Sequence, residues 1–280
     1  MAKRIGLALG AGGARGIAHV HVLAALDDLG LKPHIIAGSS IGAVIGAGYA
    51  AGMSGEEIAD YFVKTFSNRS RVFSKLWQLR MATFRDLFGG ERANVRGLHT
   101  ESLLKAFLPE GVPSDFSGLN LPLKVTATEF YGNRMRVIED GSLLHALAAS
   151  VAIPVIFKPV IIDGKVLIDG GINNPVPFDL VSGNQMITIA VDVLGLPRGV
   201  EGRLPTRLDA GFGASQLMMH SITQHKLREH PPSLYVQPRI SGFRVLDFLK
   251  AREILKVSAA IRKSVRHDLE QLIERGEIGV

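Results

Sequence analysis

The chain predicts an α/β fold: a mostly parallel sheet covered by helices on both faces. Three observations predict it. Short apolar runs alternate with helical stretches along most of the sequence. Two of these runs end in glycine-rich turns that lead into helices, at residues 10–13 and 38–42. Glycine is abundant, at 31 of 280 residues, while aromatics make up only 6%, which suits tight βα turns better than a β-sandwich.

The elements follow in order. Ile5 to Leu9 reads as the first strand, and Ala14 to Leu29 as the first helix, stopped by Gly30 with Pro33 just beyond. His34 to Ala37 reads as a short buried strand. After it come the turn that carries Ser40 and a helix of small residues, Ile41 to Ala51. Ser54 with Glu57 resembles a capping box for a third helix that runs to Phe66. Leu123 to Glu129 and Arg134 to Ile138 alternate like strands around a Tyr131-Gly132-Asn133 turn. Ser142 to Val151 reads as a helix ended by Pro154. Pro159 to Ile162 and Lys165 to Ile168 flank Asp163-Gly164, a two-residue hairpin signal. Met186 to Val193 is another buried strand, and Leu246 to Glu274 is charged, amphipathic and helical.

Composition excludes several functions. There is no cysteine, so disulfides, thiolate zinc sites and cysteine nucleophiles are ruled out. No acidic loop of EF-hand type is present, and no metal or cofactor is expected. Lys3-Arg4 followed by Ile5 to Leu9 is too short an apolar run for a signal peptide. Ile35 to Met53 carries no charge over 19 residues, but its five glycines and changing periodicity fit a buried strand-turn-helix rather than a membrane span. A soluble, cytoplasmic chain is expected, with membrane association and homo-oligomerisation left open. The net charge is +6, and all of it falls between Lys64 and Arg96, where eight Lys and Arg face two acidic residues. This basic insertion, residues 67–97, is interleaved with Phe73, Trp77, Phe84 and Phe88, and Phe66 adjoins it. It reads either as a contact for anionic lipid or as a helical cap with a solvated basic face. Nucleic acid is not expected, because no base-stacking pattern accompanies the charge.

The chemistry centres on Gly38-Ser39-Ser40-Ile41-Gly42. A serine on a strand-to-helix turn needs glycines two residues either side, where a Cβ would clash. Ser40 would then stand at a helix N-terminus that favours a developing anion. The upstream Gly10-Ala11-Gly12-Gly13-Ala14-Arg15-Gly16 is a poor dinucleotide fingerprint, since Arg15 stands where the third glycine belongs and no acidic residue ends the second strand. Its other use is an oxyanion hole, with the N–H groups of Gly12, Gly13 and Ala14 forming a nest. Arg15 either faces a phosphate headgroup or pairs with a nearby carboxylate. For a base, the candidates are the later histidines (His99, His145, His220, His225, His230, His267) and Asp169, which ends an apolar strand at Asp169-Gly170-Gly171. Asp169 is the better placed, since none of the histidines follows a strand end. Ser150 reads as a backbone brace and Asp192 as a structural acceptor.

Taken together, the 10–16 and 38–42 motifs, Ala149-Ser150-Val151-Ala152-Ile153-Pro154 and Asp169-Gly170-Gly171 resemble, in order and spacing, the four motifs of patatin-like phospholipases. The following Asn173-Asn174-Pro175-Val176-Pro177 is similar as well. The resemblance covers residues 5–195. It implies a three-layer α/β/α fold, a catalytic domain over residues 1–195 and a mostly helical C-terminal extension over 196–280. It also implies hydrolysis of lipid acyl esters by a Ser–Asp dyad, with Ser40 as nucleophile, Asp169 as base and the Gly12–Gly13 N–H groups as oxyanion hole. Two alternatives remain open: an α/β-hydrolase with a Ser-His-Asp triad, and a non-catalytic lipid-binding protein.

Overall fold

The computed structural model describes residues 2–67, 100–197 and 204–279. The described strands are β1 (Arg4–Leu9), β2 (Ile35–Ser39), β3 (Leu123–Glu129), β4 (Arg134–Ile138), β5 (Val160–Ile162), β6 (Lys165–Asp169), β7 (Met186–Val191) and β8 (Leu234–Val236). Five of them lie parallel in the order β3-β2-β1-β7-β8. β4, β6 and β5 add an antiparallel ribbon at the β3 end. The mixed α/β architecture predicted from the alternating pattern is therefore observed.

The described helices are α1 (His19–Asp28), α2 (Ile41–Ala50), α3 (Gly55–Ser67), α4 (Thr100–Phe107), α5 (Leu143–Ser150), α6 (Arg207–Glu229), α7 (Ala251–Ser258) and α8 (Ala260–Glu274). One sheet face presents Leu7, Leu9, Ile36, Ile189 and Val191 to the main core, with residues of α1, α2, α3, α7 and α8. The other face is built from alanines. Ala8 is in register with Ala37 on one side and Ala190 on the other. Their small side chains let Val176, Phe178 and Val181 pack closely, with Leu227 of α6 behind them. On the same face, a Cβ at Gly6 would overlap the Val181 carbonyl. These are the three layers.

One topological detail places the chemistry. A strand has two edges, and β4 occupies one edge of β3 along residues 125–129. β2 pairs with residues 123–126 and β6 with 127–129, so both must share the opposite edge, end to end. Ser39 faces Thr126 and Asp169 faces Ala127. The end of β2 thus abuts the end of β6.

Several expectations need correction. The first helix opens as a 3-10 helix over Gly13–Ala18, and only His19–Asp28 is α-helical. The tail is not one helix but α7 and α8, separated at Ala259. Helix α4 and strand β8 have no counterpart in the sequence reading, and α6 lies within the extension expected to be mostly helical without having been placed as an element. The capping box is present: Glu57 Oε2 accepts from the Ser54 N–H (2.8 Å), and Ser54 Oγ accepts from the Glu57 N–H (3.2 Å). The hairpin turn is present too, with Asp163 at φ 52° and Gly164 at φ 72°. Residues 68–97 of the basic insertion lie outside the described residues. Phe66 at its start packs inward, stacked on Phe107 (5.5 Å) and Phe248 (5.2 Å). No described helix is long and apolar enough to cross a membrane.

Candidate active site

Ser40 sits between β2 and α2 at φ 54°, ψ −123°, a conformation that costs an L-residue strain and is kept only where its surroundings enforce it. The flanking glycines explain how they do so. A Cβ on Gly38 would overlap the backbone of Ala43, and one on Gly42 would overlap the Leu9 carbonyl. The Ser40 N–H donates to Ser150 Oγ (2.9 Å), so the fully buried Ser150 braces the strained turn, as the sequence suggested.

The turn delivers the Ser40 hydroxyl to Asp169: Oγ donates to Oδ2 at 2.7 Å. The other carboxylate oxygen, Oδ1, accepts the Gly171 N–H at 2.8 Å. The backbone of Asp169 is fixed as well, since its N–H donates to the Ala152 carbonyl (3.1 Å) and its own carbonyl accepts from Thr128 Oγ1 (2.9 Å). Burial pushes the Asp169 carboxyl up to about 6, although the hydrogen bonds from Ser40 and Gly171 pull the other way. A carboxylate so tuned holds its charge near neutral pH yet is basic enough to take a proton.

The glycine-rich turn faces the same point. Gly171 lies against Ala11, which brings the two loops together. The Ala11 N–H donates to the Pro175 carbonyl (2.8 Å) and the Ala14 N–H to the Val245 carbonyl (2.7 Å). Among the described residues, the N–H groups of Gly12 and Gly13 have no such partner. Ala14 therefore drops out of the expected nest, because its donor is already used.

Arg15 is 1% exposed, yet its guanidinium makes no hydrogen bond or ion pair among the described residues, and its Nε is wholly unpartnered. Burial pushes it down to about 10, with Asp192 and Asp247 partly offsetting this from a distance, so it remains a cation. Among the described residues no carboxylate lies within ion-pair distance of Arg15, although Asp192 and Asp247 act on it electrostatically. Asp192 is instead an acceptor for the Leu194 N–H (2.9 Å) and the Tyr235 hydroxyl (2.6 Å). Asp247 accepts from the Arg244 N–H (3.0 Å).

Ser40, Asp169, Gly12, Gly13 and Arg15 line one cavity of about 270 Å³. Its other walls are mainly apolar: Ile153, Ile172, Leu194, Phe212, Met219 and Val245. Helix α6 forms the roof, presenting Gly211, Phe212, Ser215, Gln216 and Met219 at helical spacing. Sequence reading missed this helix, although Thr206 caps the Asp209 N–H and Pro231 follows its end, both of which are start and stop signals. Its glycines and scattered histidines obscured the periodicity. No described histidine lines the cavity, and His99 lies outside the described residues. Nor does any described cluster of His, Asp or Glu have the arrangement to hold a metal.

The family profile described as patatin-like phospholipase matches residues 7–182. The chain belongs to the patatin-like phospholipase family. It is 35% identical over 197 residues to an uncharacterized NTE family protein of Mycobacterium tuberculosis, covering 70% of this chain and 51% of that one. It is 28% identical over 280 residues to lysophospholipase NTE1 of Coccidioides immitis, covering 91% of this chain and 17% of that one. The chain thus spans about half the length, or less, of these curated relatives. The crystal structure of VipD from Legionella pneumophila shares the fold, with a TM-score of 0.51 at 14% identity over 95% of this chain and 67% of that one.

Proposed function

We propose that this patatin-like chain is a serine acyl hydrolase that cleaves fatty-acyl esters of phospholipids or lysophospholipids through a Ser40–Asp169 dyad. The observation that carries this reading is the 2.7 Å hydrogen bond from Ser40 Oγ to Asp169 Oδ2 inside a mainly apolar cavity. Asp169 takes the hydroxyl proton as Oγ attacks the ester carbonyl. The oxygen that gains charge is received by the N–H groups of Gly12 and Gly13. The tetrahedral species collapses and expels the alcohol, which regains the proton from Asp169, and acyl-Ser40 remains. Water then attacks, Asp169 again accepts a proton, and the fatty acid leaves as Oγ is reprotonated. The mechanism needs no histidine. Labelling by a fluorophosphonate tests it against a lipid-binding role, since a binding module carries no activated serine and would stay unlabelled.

The pH dependence follows from the raised carboxyl. Asp169 must be ionised to act as base, so kcat/KM for a soluble acyl ester is expected to rise about tenfold per pH unit below about 6 and to level off above it. A profile that stays flat down to pH 4 would remove Asp169 from the role of base.

Arg15 provides the means of recognising a headgroup. A desolvated, unpartnered guanidinium in the cavity wall suits a phosphate. Arg15→Gln is expected to raise KM for a lysophospholipid by about 10- to 100-fold, the worth of a charged hydrogen bond. The same variant should leave a neutral p-nitrophenyl ester nearly unaffected. Equal losses on both substrates would make Arg15 structural.

A further inference from the structure

We propose that His19 is a positioning residue for the oxyanion hole: its ring holds the Gly10 carbonyl and so fixes the turn that presents the Gly12 and Gly13 N–H groups to Ser40. The dyad mechanism makes no other use of this histidine. His19 is the first residue of α1 and is fully buried, and its Nε2 lies 2.9 Å from the Gly10 carbonyl oxygen. A carbonyl can only accept, so Nε2 carries the proton in this contact. Nδ1 is wholly buried and has no partner among the described residues. Burial pushes the imidazole down to about 4, so the ring is neutral, with a single N–H that is spent on Gly10.

The bond closes a loop. β1 ends at Leu9, the chain passes through the glycine-rich turn and the 3-10 helix Gly13–Ala18, and His19 then reaches back to the residue where the turn began. Glycines at 10, 12 and 13 give the turn little conformational preference of its own, so its shape depends on what holds it. The Gly10–Ala11 peptide is held at both ends: its carbonyl by His19, and the Ala11 N–H by the Pro175 carbonyl (2.8 Å). Because a peptide group is planar, these two bonds fix its orientation, and the next peptide carries the Gly12 N–H. No turn or loop N–H among the described residues donates to the Gly10 carbonyl in the histidine's place.

The same carbonyl faces the helix of the nucleophile. A Cβ at Gly42 would come within 2.8 Å of the Gly10 oxygen, and one at Gly16 would overlap the Ile41 side chain. The loop from Gly10 to His19 is therefore seated on the first turn of α2, which begins directly after Ser40. Without the His19 N–H, a carbonyl inside the core loses its partner and the peptide can turn away to find another. A displacement of about 1 Å in donors that must meet a developing oxyanion can cost about 100-fold in rate. The inference rests on the Ser40–Asp169 hydrolase reading, with Gly12 and Gly13 as its oxyanion donors.

The experiment separates rate from folding. His19→Leu removes the donor, whereas His19→Gln places an amide N–H at the reach of Nε2. The end-point of fluorophosphonate labelling counts competent sites, and turnover of a soluble p-nitrophenyl ester is expressed per labelled site. His19→Leu is expected to lower kcat per site by about 10- to 100-fold with KM little changed, the pattern of an interaction made in the transition state. His19→Gln should recover most of that loss. Equal turnover per labelled site in the parent and His19→Leu would overturn the proposal, because a merely structural histidine changes the number of sites and not their rate. Equal losses in both variants would overturn it as well, since the shape of the ring and not its N–H would then matter. Should His19→Leu not fold, the imidazole nitrogen shifts of the parent decide: a proton on Nε2 with Nδ1 bare is expected, and the reverse tautomer would remove the bond to Gly10. A parent protein that neither labels nor cleaves the ester marks failure of the hydrolase reading itself, and is told apart without any variant.

Discussion

Ser40→Ala and Asp169→Asn are each expected to lower acyl-ester hydrolysis by about three orders of magnitude or more, with neither loss traceable to unfolding. Ser40→Ala removes the attacking atom. Asp169→Asn keeps the shape, since an amide oxygen can still accept the Gly171 N–H, but it offers Ser40 no base. The two variants should differ in stability. The folded Asp169 carboxyl, at about 6, lies above its ordinary value of 3.8, so folding favours its protonated form. The stability this group contributes is full below about 4 and is lost as pH rises through about 6. An asparagine cannot ionise and escapes that loss. Near pH 8, Asp169→Asn should therefore be more stable than the parent, by up to roughly 3 kcal/mol for a shift of about two units. Denaturant unfolding at pH 8 and pH 4 reads the difference, which should shrink at the lower pH. An inactive Asp169→Asn that is also less stable at pH 8 would count against a carboxylate held under strain for catalysis.

Two glycines of the same helix should respond in opposite ways. Gly42, in the first turn of α2, is pressed so closely on the end of β1 that a Cβ would overlap the carbonyl and carbonyl carbon of Leu9. Both partners are backbone in the middle of the core and cannot move aside. Gly42→Ala is expected to cost several kcal/mol, with much of the protein lost to aggregation, as for other severe overpacking. Gly48 lies two turns further on, where a Cβ would meet only the Ile58 and Met53 side chains at 3.5 to 3.6 Å, ordinary contact. There the helix propensity of alanine should dominate, and Gly48→Ala should gain about 0.5–1 kcal/mol. Thermal unfolding of the pair checks both signs. A stable Gly42→Ala protein would show that the Ser40 turn tolerates a looser packing than its geometry implies.

Much of this architecture was legible in the chain. The alternation of apolar runs and helical stretches, the Ser54–Glu57 box and the Asp163-Gly164 hairpin are local signals, and each depends on contacts within a few residues. Helix α6 was not legible. Its interior carries Gly211 and Gly213 and two histidines, His220 and His225, and it is anchored through Lys226, which bonds Asn174 Oδ1 (2.6 Å) and the Val176 carbonyl (2.9 Å) and lies 4.5 Å from the centre of the Phe178 ring. Such long-range anchors leave no periodic trace. The Ala14 donor is a similar case, since its use by Val245 links residues far apart in sequence.

The sequence by itself determined which groups could do chemistry. A serine between two obligatory glycines, a glycine nest upstream and an aspartate at a strand end are set by residue type and spacing. Only the tertiary structure decided that they meet. β2 and β6 share one edge of β3 end to end, so Ser39 and Asp169 face consecutive residues, Thr126 and Ala127. Strand register is a property of the assembled sheet, and here it brings Ser40 Oγ to within 2.7 Å of the Asp169 carboxylate, although 129 residues separate the two in the chain.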